Sequence, residues 1–327
     1  MKSKGIRYWL LWSLGITLPV MLMILTYASL LGGVTLGKVL WGILLLYLFL
    51  AFSRAIRGTS PRRFPVYENN PERLGFQYED IDFPSRDGLL LSGWFVPPQN
   101  KATIVICHGF GGNRLMVAPI ARLLVRHGFG VLLFDFRAHG RSAGDLSTWG
   151  WLETQDLLGA LDVLQQRPEV DPARMGVLGF SLGGQVALRT APVSQLIRAV
   201  AAEGPSPAVL ADHVLSSRLT LKKILFMPYI WLLYAYHRLL IGVPAPVGVL
   251  ASMEKLAPRP LLLITSGEAG EKLFVQHLFA QAKELKTLYA IPEARHVEGF
   301  LARPEEYEHT LVSFFTRALD VDQSEHD

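Results

Sequence analysis

Positions 8 to 37 carry no charged side chain, Lys38 interrupts, and positions 39 to 53 are again uncharged. A helix needs roughly 20 apolar residues to cross a bilayer. The first run meets that length alone. The second meets it by taking in residues 34–37 and letting Lys38 reach toward the interface. The pattern predicts a transmembrane helical hairpin within residues 1–53, its helices at 8–31 and 34–53, turning at Gly32 and Gly33. Residues 54–75 hold Arg54, Arg57, Arg62, Arg63, Pro61, Pro65 and Pro71 without apolar period, and read as a basic linker.

From residue 76 the texture changes. Strand patterns at 77–83 and 89–96 flank a turn at Arg86-Asp87-Gly88. Short apolar runs at 102–107, 130–136, 174–180, 197–202, 260–265 and 287–291 read as further strands. Helical patterns lie between and after them, at 117–126, 152–165, 182–191, 273–282 and 304–319. Strands alternating with helices predict an α/β domain over 76–320, a mostly parallel sheet covered on both faces. The acidic residues 321–327 read as a disordered tail.

Lys2, Lys4 and Arg7 precede the first apolar run and the arginines follow the second. The positive-inside rule then places both ends, and the domain that follows, in the cytoplasm, with Trp9, Trp12 and Trp41 as interface anchors. Two other readings stay open: a single span carrying an exported domain, and a cleaved signal peptide. The latter expects an apolar core of roughly 7–15 residues, which the first run exceeds.

Composition supports a membrane segment, since half the residues are hydrophobic. The formal net charge of +4 is mild, and the basic residues around the apolar start account for most of it. A nucleic-acid partner is not expected; only the Arg-rich linker speaks for one. The one cysteine, Cys107, excludes an intrachain disulfide and falls inside an apolar strand run.

The candidate chemistry begins at Gly179-Phe180-Ser181-Leu182-Gly183, a G-x-S-x-G pattern between a predicted strand and a predicted helix. That setting exposes the serine hydroxyl on a sharp turn. The loop His108-Gly109-Phe110-Gly111-Gly112-Asn113 follows another strand and can present a backbone N–H to a developing oxyanion. Phe110 and Leu182 are the candidate amide donors. The loop lacks the G-K-[ST] ending of a phosphate cradle. His296, between the last strand and the last helix, is the candidate base for Ser181, and the chain order serine, acid, histidine puts the acid after the strand at 260–265. Glu271 is preferred there, then Glu268, then Glu203 at the end of the preceding strand. No spacing suggests a metal, and no cofactor is expected.

Together these residues resemble the α/β-hydrolase superfamily, in particular its lysophospholipase, monoglyceride-lipase and serine-aminopeptidase-like branch. The resemblance covers residues 76–319. Asp135-Phe136-Arg137-Ala138-His139-Gly140-Arg141-Ser142 is similar to the family's D-x-R-G-H-G-x-S segment, and His296-Val297-Glu298 to its histidine loop. Where the family reads H-G-x-x-D after the seventh strand, Ser266 replaces the histidine and Gly270 falls on the aspartate. The resemblance implies a lid within 205–258, whose uncharged stretch 225–236 either faces the membrane or packs on its own domain. Taken with the predicted hairpin, it implies a membrane-anchored serine hydrolase acting on ester or thioester bonds of a small acyl or lipid-like substrate. The alternative is a catalytically impaired homologue that binds lipid or protein. Oligomeric state is not readable.

Overall fold

Every residue in the runs at 103–107, 130–134, 175–180, 199–203 and 261–266 is buried. This is what a parallel sheet with helices on both faces requires, since neither side of such a strand meets water. The computed structural model describes residues 20, 22–24, 26–27, 35–61, 63–66, 74–215 and 220–320. The described strands are β1 (Glu79–Pro84), β2 (Leu90–Val96), β3 (Thr103–Cys107), β4 (Gly130–Phe134), β5 (Met175–Phe180), β6 (Ala199–Glu203), β7 (Leu261–Ser266) and β8 (Lys286–Ile291). They form one eight-stranded sheet in the order β1-β2-β4-β3-β5-β6-β7-β8. β1 and β2 pair antiparallel, β2 pairs antiparallel with β4, and all other neighbours are parallel.

The helices are α1 (Leu36–Thr59), α2 (Arg114–Arg126), α3 (Glu153–Gln165), α4 (Leu182–Thr190), α5 (Leu210–Leu215), α6 (Leu221–Ile241), α7 (Val249–Met253), α8 (Ala269–Gln281), α9 (Gly299–Ala302) and α10 (Pro304–Ala318). Alternation along the strands divides the core in two. Val105, Leu132, Val177, Val200 and Leu263 share one cluster with residues of α3, α4 and α8. Ile104, Ile106, Leu133, Leu178 and Ile264 share the other with residues of α2 and α10. The strand order reverses direction at β3, which lies between β4 and β5. A crevice opens at the carboxyl ends of the strands at such a point, and ligands of open α/β sheets bind there.

The chain divides into two compact units, residues 62–218 with 246–327, and residues 1–61 with 219–245. The first holds the sheet. In the second, α1 runs to Thr59 and not to 53 as the charge pattern suggested. Ala51, Phe52, Ala55 and Thr59 recur at helical spacing and are buried, so the apolar stripe continues past Arg54. Arg57 sits in the last turn, where the helix dipole favours a cation. The predicted linker therefore begins later than residue 54.

The uncharged lid stretch is the middle of the longer helix α6, which starts at the N-cap Thr220 and stops at left-handed Gly242, φ 78°. Within the second unit α6 pairs with α1: Tyr229 meets Tyr47 edge-on at 5.6 Å, and Tyr236 meets Phe52 at 5.1 Å. Of the predicted first helix, positions 20, 22–24, 26 and 27 are helical. Lys2, Lys4, Arg7, Trp9, Trp12, the Gly32-Gly33 turn and the tail 321–327 lie outside the described residues.

Candidate active site

The turn from β5 to α4 holds Ser181 at φ 51°, ψ −108°. A positive φ costs a residue with a Cβ roughly 1–3 kcal/mol, so the surroundings must impose it. They do so through the backbone. Ser181 N–H donates to Glu203 O at 2.9 Å, and Ser181 O accepts from Gln185 N and Ser206 N, both at 3.1 Å. The flanking glycines are required by space. A Cβ on Gly179 would lie 2.2 Å from Gly183 O, and one on Gly183 would lie 2.2 Å from Cys107 O. The turn is thus pressed between its own helix and β3.

His296 lies in the loop between β8 and α9. Its Nε2 accepts from Ser181 Oγ at 2.9 Å, and its Nδ1 donates to Glu271 Oε2 at 2.5 Å. The next residue, Val297, has φ 54°, which is uncommon for a β-branched side chain. Glu271, in the first turn of α8, is fixed by its other oxygen: Oε1 accepts from Ser266 N at 2.6 Å and Thr265 Oγ1 at 3.3 Å.

The three glutamates singled out in the sequence all reach this loop, each at a different place. Glu271 meets the imidazole. Glu268 Oε1 accepts from the backbone N–H of His296 at 3.1 Å. Glu203, at the end of β6, accepts from Gly299 N at 2.8 Å and from Tyr307 OH at 2.7 Å. Burial pushes the Glu271 carboxyl up, but hydrogen bonds from His296 and Ser266 outweigh it and hold the group below the usual carboxylate range. The hydrogen bond to Glu271 raises His296 above its ordinary value, against a smaller opposing effect of burial. Burial raises Glu203, with the Tyr307 and Gly299 bonds opposing.

The glycine loop after β3 passes directly beside the serine: a Cβ on Gly109 would lie 3.4 Å from Ser181 Cβ. Two buried histidines brace it. His108 Nδ1 donates to Gly109 O at 2.7 Å while its Nε2 accepts from Phe136 N at 3.0 Å. His139 Nδ1 donates to Arg137 O at 2.8 Å while its Nε2 accepts from Gly111 N at 3.1 Å. Burial lowers both, His108 to about 3, so each is a neutral imidazole with one donor and one acceptor in use. Gly111 N–H is held by His139, and Gly112 N–H by Gly109 O at 3.1 Å. Those two amides are therefore turned away from a substrate. Phe110 and Leu182 stand at the loop and at the first residue of α4, where helix N–H groups lack intrahelical partners. The bracing role of His139 was not separable in the sequence from the rest of its segment.

A cavity of about 340 Å³ opens at Ser181 and His296. Phe110, Met116, Ile120, Phe180, Phe300 and Leu301 supply much of its wall. The contribution of α2 to this wall was not foreseen, because the period of that helix reports its core face. Among the described residues, no group of three or more His, Cys, Asp or Glu is placed to hold a metal ion.

Residues 102–229 match the family model described as alpha/beta hydrolase fold. The uncharacterized protein YfhR of Escherichia coli strain K12 is 31% identical over 252 residues, covering 74% of this chain and 82% of that protein. The chain belongs to the α/β-hydrolase family. Among solved structures, the Pyrococcus furiosus esterase Pf2001 superposes with a TM-score of 0.64 at 28% identity, over 80% of this chain and 98% of that one. A dienelactone hydrolase from Anabaena variabilis shares the fold at 20% identity, with a TM-score of 0.53 over 74% of this chain and 99% of that one.

In this α/β hydrolase, Glu203 ties the Ser181 turn to the His296 loop, through its backbone oxygen on one side and its carboxyl on the other. Glu203→Gln replaces one acceptor oxygen by an NH₂ that cannot accept from Gly299 or Tyr307. Ester turnover is expected to fall roughly tenfold with KM nearly unchanged, the equivalent of about 1.4 kcal/mol in the barrier. The acid limb of the pH profile should move down, because the Glu203 charge helps raise His296. Steady-state kinetics across pH would measure both. An unchanged rate would mean that only the shape of the side chain matters.

Proposed function

We propose that the chain is a membrane-anchored serine hydrolase that cleaves carboxylic esters or thioesters of apolar acyl groups through an acyl-enzyme on Ser181. The observation that carries this reading is the continuous hydrogen-bonded path from Ser181 Oγ through His296 to Glu271. Ser181 Oγ attacks the carbonyl carbon as its proton passes to His296 Nε2. The oxyanion takes hydrogen bonds from the amides of Phe110 and Leu182, each worth on the order of 3 kcal/mol. His296 then returns the proton to the leaving oxygen or sulfur. A water, deprotonated by the same Nε2, releases the acid and restores Ser181. Glu271 holds the ring in the Nδ1–H form and stabilises the imidazolium. Gly270 at the acid position is the ground for a binding module without turnover, and the carboxylate of Glu271 on the imidazole supports the hydrolase reading instead.

The apolar wall of the cavity favours an acyl chain over a polar one. The esterase Pf2001 adds support for ester chemistry. Support for the anchor comes from α1, with 24 residues and an 18-residue stretch of mean hydropathy 2.1. Leu36, Leu40, Trp41, Ile43, Leu46 and Leu50 are exposed on it. Arg54 and Arg57 at its carboxyl end support a cytoplasmic side for that end and for the hydrolase domain.

The test is a series of p-nitrophenyl esters carrying acetyl, butyryl, octanoyl and palmitoyl groups, with the full chain in detergent micelles. From acetyl to octanoyl, kcat/KM is expected to rise by at least ~10-fold, since each methylene buried contributes about 0.8 kcal/mol before losses. Turnover confined to the acetyl ester would overturn the acyl seat. No turnover at all, with no labelling by a fluorophosphonate, would overturn the hydrolase.

A further inference from the structure

Two described helices are long and apolar enough to cross a bilayer, α1 and the Lys223–Ile241 portion of α6, which holds an 18-residue stretch of mean hydropathy 1.4. They differ in how the chain reaches them. The chain enters and leaves α6 from the sheet-bearing unit, where one side chain joins the two flanking segments. Asp212 in α5, 1% exposed, accepts from Ala208 N at 3.1 Å and Val209 N at 3.3 Å on the incoming arm. It also accepts from Val249 N at 2.9 Å and Leu250 N at 3.2 Å on the returning arm. The insertion therefore leaves and re-enters the hydrolase domain at one closed stem.

The arms are short. From Leu215 to Leu221 there are six peptide steps (221 − 215), and from Ile241 to Gly248 there are seven (248 − 241). Fully extended, they reach about 22 Å and about 25 Å. For α6 to cross, one of these arms would have to return through a hydrocarbon core of about 30 Å. Neither is long enough. An extended arm in hydrocarbon would also leave its N–H and C=O groups without partners.

We infer that α6 is not a second span but a monotopic lid helix, seated in the bilayer leaflet that faces the hydrolase domain. This rests on the reading of α1 as a membrane segment. The surface of α6 fits that occupant. Ile224, Leu225, Phe226, Trp231 and Leu239 are between 44% and 67% exposed. The sequence places Lys222 and Lys223 at one end and Arg238 near the other, suited to anionic headgroups. The pairing with α1 uses Tyr47, at the midpoint of that helix, and Phe52, in its carboxyl-terminal half, so neither contact reaches past the middle of α1. A lid held in lipid would let an acyl ester pass from the leaflet to the enzyme without entering bulk water.

The test uses the full chain in vesicles of phosphatidylcholine and phosphatidylglycerol, with the hydrolase domain outward. Single cysteines are placed by Leu221→Cys, Trp231→Cys, Ala245→Cys and, as an aqueous reference on α10, His309→Cys. The native Cys107 is fully buried and gives a low background. A membrane-impermeant maleimide added outside should label positions 221 and 245 without lysis. Position 231 should react at least ~10-fold more slowly than 309, and a fluorophore there should be quenched by lipids brominated high on the acyl chain. Labelling of 221 and 245 from opposite sides would overturn the inference. So would reaction at 231 as fast as at 309 in a chain that resists alkaline carbonate, with the anchor reading left standing. A chain that carbonate strips from the vesicles would overturn the anchor and this inference together.

Discussion

Ser181→Ala is expected to lower turnover of the octanoyl ester by roughly 10⁶-fold and to abolish fluorophosphonate labelling, with the fold intact. The hydroxyl is the one atom removed, and in the structure it donates to His296 Nε2. The backbone bonds that hold the turn run through Ser181 N and O, which alanine keeps. Alanine also keeps the Cβ, so the strain at φ 51° neither grows nor is relieved. The melting temperature should therefore stay close to that of the parent. What remains is catalysis by the amides of Phe110 and Leu182 and by substrate binding, roughly 10³-fold over water. Loss of activity together with an unchanged melting temperature separates a missing nucleophile from a broken fold. Labelling that persists in the variant would place the reactive group elsewhere and dismiss Ser181.

Much of the sheet was legible because its strands are buried on both faces, so unbroken apolar runs such as Thr103–Cys107 marked them directly. The serine and the histidine were legible for a related reason. A hydroxyl exposed on a strand-to-helix turn needs glycines on either side, and the collisions at Gly179 and Gly183 show why. The sequence ranks Glu271 first among three glutamates but cannot say which one meets the imidazole, because all three converge on one loop and the atom each meets depends on the path of the backbone. Gly267 illustrates this. A Cβ there would lie 1.8 Å from Pro292 O, so the chain after β7 lies against the chain after β8. That contact carries Glu268 to the backbone of His296 and Glu271 to its ring. Gly204 closes the other side, where a Cβ would lie 2.9 Å from Glu271 Oε2 and 3.0 Å from His296 Nδ1. Charge misleads at α1: the pattern ends the helix at 53, before Arg54, although the buried stripe runs on to Thr59. The partner of α6 was out of reach for another reason: its apolar residues show that something covers them, and only the fold shows that α1 is part of the cover.

Glu271→Gln is expected to lower kcat by about 10⁴-fold while leaving Ser181 and His296 in place. The carboxylate accepts from Nδ1 and so fixes the proton there, which leaves the lone pair of Nε2 facing Ser181 Oγ. A glutamine amide can offer N–H to Nδ1 and so favours the opposite tautomer, in which Nε2 carries the proton and cannot accept another. The pH profile supplies a second reading. His296 acts as a base only when neutral, and its folded-state value lies above 6.5, first through the hydrogen bond to Glu271. In the parent, kcat/KM should therefore fall as pH drops through a value above 6.5. Without the carboxylate the main raising effect is gone and burial, which lowers the value, gains weight. The acid limb of the residual activity should then move to lower pH. Glu268→Gln keeps an oxygen that can accept from the His296 amide and removes only a charge that helps raise His296, so it should cost far less, under about tenfold. Adding Gly270→Asp to Glu271→Gln returns a carboxylate to the position the family favours, one residue earlier, and should recover part of the rate. A Glu271→Gln enzyme within threefold of the parent, with its acid limb unmoved, would mean that the imidazole is oriented by another group.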